Sequence, residues 1–288
     1  NQLEFLLGMA NSKDANGYYL FSGYQGHTQP FQRVTGGTDP VAYRGDDGQR
    51  LMQVGASRQI AVSDSGRDIF ERNLTGNGTF ALGAAPGNTG TGVIGGGSVT
   101  DITAWTGDNY QIAFASATSY TITDTTTSTT IGTYTYTAGT EITAIPGISF
   151  SLGGEPAAGD TFTVAPSTEQ SLFTTLQNLI TAFSTDIEND TVAGARVQNI
   201  VDAEMNNLQR ILENVSTVQA SIGSRRSELA ALTDVSSALD LHYQERLSNL
   251  RDLDYVEAIS EFTQQQTQLE AAQASFAQIS QLSLFNYL

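Results

Sequence analysis

Two histidines, His27 and His242, are the only imidazoles in the 288 residues. They are 215 positions apart and neither sits in a metal-ligand motif, so each is expected to pack or to face solvent. Cysteine is absent, which excludes thiolate nucleophiles, disulfides and Cys-containing zinc sites. Asp46 and Asp47, between Gly45 and Gly48, could offer oxygens to calcium, but no spacing here resembles an EF-hand loop and turn chemistry accounts for them. The glycines from Gly87 to Gly97 have no lysine among them and no strand-to-helix phosphate signature after them. Thirty Asp and Glu residues always offer pairs of the kind a retaining glycosidase uses, yet the threonine-rich stretch over 100–165 has none at its strand ends in a suggestive pattern. No Ser/His/Asp arrangement can be argued. The expectation is a non-enzyme, with no catalytic, cofactor-binding or metal residues.

What such a chain can meet is bounded by charge. Thirteen Lys plus Arg against thirty Asp plus Glu give a formal charge of -17, which repels nucleic acid and anionic lipid. No apolar run approaches the roughly 18 residues of a membrane span, and the stretch from Leu3 to Ala10 contains Glu4 and lacks the positive flank of a secretory signal. The chain opens on Asn1 in what reads as the body of a helix, so a fragment without its true N-terminus is expected.

The elements that would position any site follow from periodicity. Leu3, Leu6, Leu7 and Ala10 have helical spacing, and the Asn16-Gly17 turn pair ends that helix. Short aromatic or β-branched runs at 18–21, 30–31, 51–54 and 60–62 predict strands and hairpins. Residues 75–99, rich in Gly and Thr, read as a connector. Residues 100–165 nearly alternate, as in Tyr120-Thr121-Ile122-Thr123 and Tyr134-Thr135-Tyr136-Thr137, and predict a small inserted antiparallel β-domain. Ser167-Thr168-Glu169-Gln170 fits a capping box opening a helix that runs to about Glu188. After Asn189-Asp190 a second helix begins near Ala195. It carries a heptad seam of Leu208, Val215, Ile222 and Leu229 with Ile211, Val218, Leu232 and Leu239, and Arg225 as its polar exception.

About 55 helical residues at roughly 1.5 Å each span about 80 Å, against roughly 50 Å for a compact globule of this length. An elongated helical rod is expected, α+β in class, with long antiparallel coiled-coil-like helices and short hairpins. The rod would comprise 1–74 and 166–252. A joint at Asp252–Asp254, with Asp254 and Glu257 as a second capping box, would lead into a terminal assembly helix over 254–288. Phe262, Leu269, Ala272, Phe276 and Ile279, with Leu282, Phe285 and Leu288, form its candidate interface. Each large apolar side chain buried there would contribute about 1.5–3 kcal/mol. Its opposite face holds uncharged Gln264, Gln265, Gln266, Gln268 and Gln273.

These residues carry a likeness. The run from Met9 to Tyr24, with Gln29-Pro30-Phe31 and Tyr43-Arg44-Gly45-Asp46, resembles the hairpin region of hook-associated proteins of the flagellin superfamily. Gly153-Gly154-Glu155-Pro156 and Gly159-Asp160-Thr161-Phe162 look like the end of the β-insert in that superfamily. The stretch from Leu250 to Leu288, with its closing Leu284-Phe285-Asn286-Tyr287-Leu288, is similar to the C-terminal end of the flagellar hook-associated protein 3 family, hook–filament junction proteins. The resemblance implies a structural, secreted protein of the bacterial flagellum, exported by the flagellar type III system and serving motility. It further implies polymerisation with itself and with hook-associated protein 1 and flagellin, a cytoplasmic export chaperone on the C-terminal helix, and N-terminal helices that this chain lacks. The glutamine face would then line the axial channel. Membership as a flagellin or a hook-associated protein 1 stays open, as does, from a different class, a surface adhesive module using the β-insert.

Overall fold

The computed structural model describes residues 2–36, 39–55, 57–251 and 254–281. The chain divides into two units, Asn1–Ser227 and Glu228–Leu288, and one long helix contributes to both. The class is α+β.

In the first unit, helix α1 (Gln2–Ala10) buries Leu3 and Ala10. It is followed by antiparallel ribbons β1 (Phe31–Arg33) with β2 (Val41–Tyr43), and β3 (Leu51–Gly55) with β4 (Arg58–Ala61). The strand expected at 18–21 does not form. Tyr19 makes an isolated bridge with Lys13, while its N–H donates to Gly26 O and that of Leu20 to Ser12 O, so the segment closes turns instead of pairing as a strand. Short helix α2 (Gly66–Phe70) is capped by Ser65. Around Phe31 these pieces share an aromatic core in which Tyr43, Phe70 and Phe173 lie with ring centroids 5.0–5.3 Å away.

The β-domain leaves and rejoins this base through one small ladder, β5 (Asn73–Leu74) against β14 (Glu169–Gln170). Thr75 N donates to Thr168 O and Ser167 Oγ to Thr75 O, closing the neck. Between them run β6 (Phe80–Ala84), β7 (Val93–Val99), β8 (Tyr110–Ser116), β9 (Ser119–Asp124), β10 (Thr129–Thr135), β11 (Glu141–Ile142), β12 (Ile148–Gly153) and β13 (Thr161–Pro166). A five-stranded sheet, in order β10-β9-β8-β13-β6, and a three-stranded one, β11-β12-β7, are antiparallel throughout. Alternate residues such as Ile112, Phe114, Ile122, Phe150, Leu152 and Phe162 point into one shared core.

This corrects the connector expected at 75–99. Its residues supply β6 and β7, and Phe80 and Ile94 belong to the core. The glycines are a packing device: a Cβ at Gly97 would stand 2.9 Å from the Phe80 ring. The β-domain therefore starts just after the neck and not at 100.

The capping box at Ser167 is also corrected. Glu169 and Gln170 extend as β14, and helix α3 (Leu172–Phe183) is capped by Ser171, whose Oγ accepts from Thr174 N at 3.0 Å. The helix ends at Phe183, short of Glu188. Asn189 takes a left-handed φ of 58°, and Asp190 Oδ1 accepts from Ala193 N at 2.8 Å, so helix α4 (Thr191–Arg251) starts a turn earlier than expected.

In the second unit, 228–251 of α4 and helix α5 (Tyr255–Gln281) are the described elements. Asp254 caps α5, its Oδ1 accepting from Val256 N at 2.9 Å and Glu257 N at 3.2 Å. Residues 252 and 253 of the expected joint lie outside the described residues.

Candidate assembly surfaces

Helix α4 organises the first unit through polar groups three, eight and seven residues apart, spacings that keep side chains near one face. Arg196 donates to Asn88 O through Nε at 3.1 Å and Nη2 at 2.6 Å. Asn199 clasps the β7 entry, accepting from Ile94 N and donating to Gly92 O, both at 2.9 Å. Asn207 Oδ1 accepts from Gly76 N at 2.7 Å. Asn214 Nδ2 donates to Asp68 O at 2.8 Å and Asn73 Oδ1 at 2.9 Å. Each of these closes a long sequence separation, so α4 is the spine on which neck and β-domain are hung.

The central member is Glu204, a buried carboxylate with no ion pair among the described residues. Gln170 Nε2 donates to its Oε2 at 2.8 Å, Asn207 Nδ2 to the same oxygen at 2.9 Å, and Asn178 Nδ2 to Oε1 at 2.6 Å. Three amides thus satisfy the charge and join β14, α3 and α4. Clefts of about 380 and 440 Å³ flank Ala203 and Glu204. Their polar groups Glu204 and Asn199 are spent on holding elements together.

A second carboxylate ties the β-domain's own loops. Asp160, also buried, accepts from Thr89 N at 2.7 Å, Ala157 N at 2.9 Å and Gly90 N at 3.0 Å. Burial works to raise its pKa, but these N–H donors outweigh it and hold the carboxyl below the ordinary aspartate value. Neither imidazole faces such a cluster: His27 lies against the Tyr18 ring, 4.7 Å between centroids, and His242 Nδ1 stands 3.8 Å from Glu245.

The predicted seam is distributed unevenly. Ile211 is buried, Leu208, Val215, Val218 and Leu232 are half-buried, and Ile222 and Leu229 are exposed. Beside Ile211 and Val218, the second row packed against the base is Glu204, Asn207 and Asn214, which a count of apolar residues passes over. Asn207 and Asn214 seven residues apart are the signal that was available. On α5 the predicted row lies open: Phe262, Leu269, Phe276 and Ile279 are 59–74 % exposed, and Ala272 is exposed. Leu282, Phe285 and Leu288 lie outside the described residues.

Residues 205–288 match the family described as bacterial flagellin C-terminal helical region, and 84–166 match flagellar hook-associated protein 1, D2-like domain. Flagellar hook-associated protein 3 of Salmonella typhimurium is 25% identical over 280 residues, and that of Escherichia coli 24%. Each alignment covers 97% of this chain and 61% of the relative, so the chain spans about three fifths of the length of these curated relatives. The crystal structure of hook-associated protein 3 from Legionella pneumophila is 30% identical, with a TM-score of 0.80 over 88% of this chain and 79% of that one. FlgL of Xanthomonas campestris is 27% identical, with a TM-score of 0.78 over 86% and 78% of the two chains. The chain belongs to the flagellar hook-associated protein 3 family.

Proposed function

We propose that this chain is the body of a structural subunit of the bacterial flagellum, placed at the hook–filament junction and doing no catalysis. The observation that carries the reading is the open row on α5. Phe276 is 74 % exposed and Phe262 67 %, in register with Leu269 and Ile279 along one helix face. Scattered exposed apolar residues are ordinary, but an aligned row of large ones marks a surface that works when covered. At about 1.5–3 kcal/mol for each large side chain, such a row can anchor a subunit in a polymer. In this reading the apolar rows of α4 and α5 pack between subunits of the axial structure, with hook-associated protein 1 on one side and flagellin on the other. The β-domain hangs from α4 by polar contacts. Passage out of the cell through the flagellar type III channel, with a chaperone on the C-terminal helix, completes the proposal.

The test is Phe276→Asp with Ile279→Asp in the complete protein. Both side chains are exposed, so the monomer should keep its circular dichroism and melting transition while junction assembly and swimming are lost. Normal swimming would overturn the role given to α5. Electron microscopy of cells lacking the protein should show hooks without filaments.

A further inference from the structure

The chain contains two Asn–Gly dipeptides, Asn16-Gly17 and Asn77-Gly78. The fold treats them oppositely. Asn77 sits in the neck of the β-domain with both ends of its carboxamide held: Oδ1 accepts from Thr79 N and Phe80 N, each at 2.9 Å, and Nδ2 reaches Gly97 O at 3.4 Å. Gly78 N is engaged with Thr75 O at 3.2 Å. Asn16, by contrast, is exposed, and no hydrogen bond of its carboxamide occurs among the described residues. Gly17 is exposed too, takes a φ of 84°, and has open space on its Cβ side. Its N–H donates to Asp14 O at 3.0 Å and closes an exposed turn, a bond that opens at little cost.

We propose that Asn16 is a site of spontaneous covalent modification, deamidation through a succinimide, and that the fold protects Asn77 from the same reaction. In the open turn the Gly17 amide nitrogen loses its proton to solvent base and attacks Asn16 Cγ. A C–N bond forms, the bond from Cγ to the carboxamide nitrogen breaks, and ammonia leaves with a proton from solvent. Water then adds to either carbonyl of the ring and opens it to aspartate or isoaspartate. The balance is one water in and one ammonia out, and no redox partner is needed. No side chain stands on Gly17 to hinder the approach, which is why glycine is the permissive neighbour.

The consequence falls on a specific turn. Asp14 Oδ1 accepts from both Asn16 N and Tyr18 N at 2.9 Å, and the Asp14 carboxylate stands 3.9 Å from Arg50. Modification places a new negative charge beside that carboxylate, and the isoaspartyl form adds a backbone atom inside the turn that closes the Lys13–Tyr19 bridge.

The experiment is timed incubation of the folded protein in mildly alkaline buffer, followed by peptide mapping for the mass rise of NH2 replaced by OH and by labelling with an isoaspartate methyltransferase. In the folded protein Asn16 should convert at least about tenfold faster than Asn77, the ratio that roughly 1.4 kcal/mol of difference in opening produces. In urea the two rates should converge, because the dipeptides are the same. Asn16→Gln should remove the methyl-acceptor signal of the folded protein. Equal rates in the folded state, or faster conversion at Asn77, would overturn the proposal, as would a methylation signal that persists in the Asn16→Gln protein.

Discussion

Arg225 of α4 grips Asp64 with two prongs, Nη2 to Oδ1 at 2.6 Å and Nη1 to Oδ2 at 3.2 Å, while Nη1 also donates to Ala61 O at 3.2 Å. The side chains are only 21 % and 14 % exposed. The one charged residue that breaks the apolar seam of α4 is thus the residue that ties the β3–β4 hairpin to the helix. A planar guanidinium satisfies carboxylate and carbonyl at once, which a lysine ammonium cannot do with the same geometry.

Arg225→Lys should therefore weaken this attachment although the charge is kept. A loss of about 1–3 kcal/mol is expected for a partly buried charged hydrogen-bond pair. It should appear as faster amide exchange in β3 and β4, with the β-domain unaffected. Adding Asp64→Asn to the lysine variant should cost little more; full additivity of the two would show that the pair is not coupled.

Glu204→Gln keeps the shape of the side chain but turns one acceptor oxygen into an NH2 facing the amides of Gln170, Asn178 and Asn207. One donor of that cage is then left unpaired in a buried place, at about 1–3 kcal/mol. Urea unfolding should show the loss, and limited proteolysis should find the neck at Thr75 and Ser167 more open. An unchanged midpoint would mean that Glu204 is not the hub of the neck.

Stability should fall with acid through Asp160. Its folded pKa lies below the unfolded one, so its contribution is fully present above the unfolded aspartate pKa and is lost as pH falls through the folded value. Asp124 and Asp101 shift the same way, held chiefly by the Thr127 and Thr103 side chains. Asp160→Asn should lower the melting temperature at neutral pH and flatten the acid limb of the stability curve. A variant with the wild-type acid limb would remove Asp160 from that account.

Phe80→Ala tests whether the segment once expected to be a connector is core. A fully buried phenylalanine costs about 3–5 kcal/mol on truncation, whereas one in a linker costs almost nothing. The single tryptophan, Trp105, lies with its ring centroid 5.7 Å from that of Phe80 and reports the change directly by fluorescence. Gly97→Val should have a related effect by forcing a side chain toward the same ring.

Much of the architecture was legible in periodicity, because burial of one face is a local pattern. Alternation in 109–164 and helical spacing after 171 marked the β-domain and the helices, and the break at Asn189-Asp190 was visible as a turn pair. Composition misled where glycine served packing. Gly95 to Gly97 looked like a linker, yet Gly97 allows β7 to pass beside Phe80, whose position depends on β13 pairing some eighty residues further along the chain.

What the sequence by itself determined was the α+β class, the insertion of a threonine-rich β-domain into a helical chain, and the apolar rows of α4 and α5. Which of those rows is covered was decided only by tertiary structure. Ile211 is buried and Phe276 is not, although both sit in equally good heptads, because burial depends on what arrives from distant parts of the chain. The same holds for the polar spine. Asn214, Asn207, Glu204 and Asn199 read as ordinary surface residues of a helix until Asn73, Gly76, Gln170 and Gly92 are brought to them. A hydrogen bond needs its partner's position to within a fraction of an ångström, and local spacing holds no record of that.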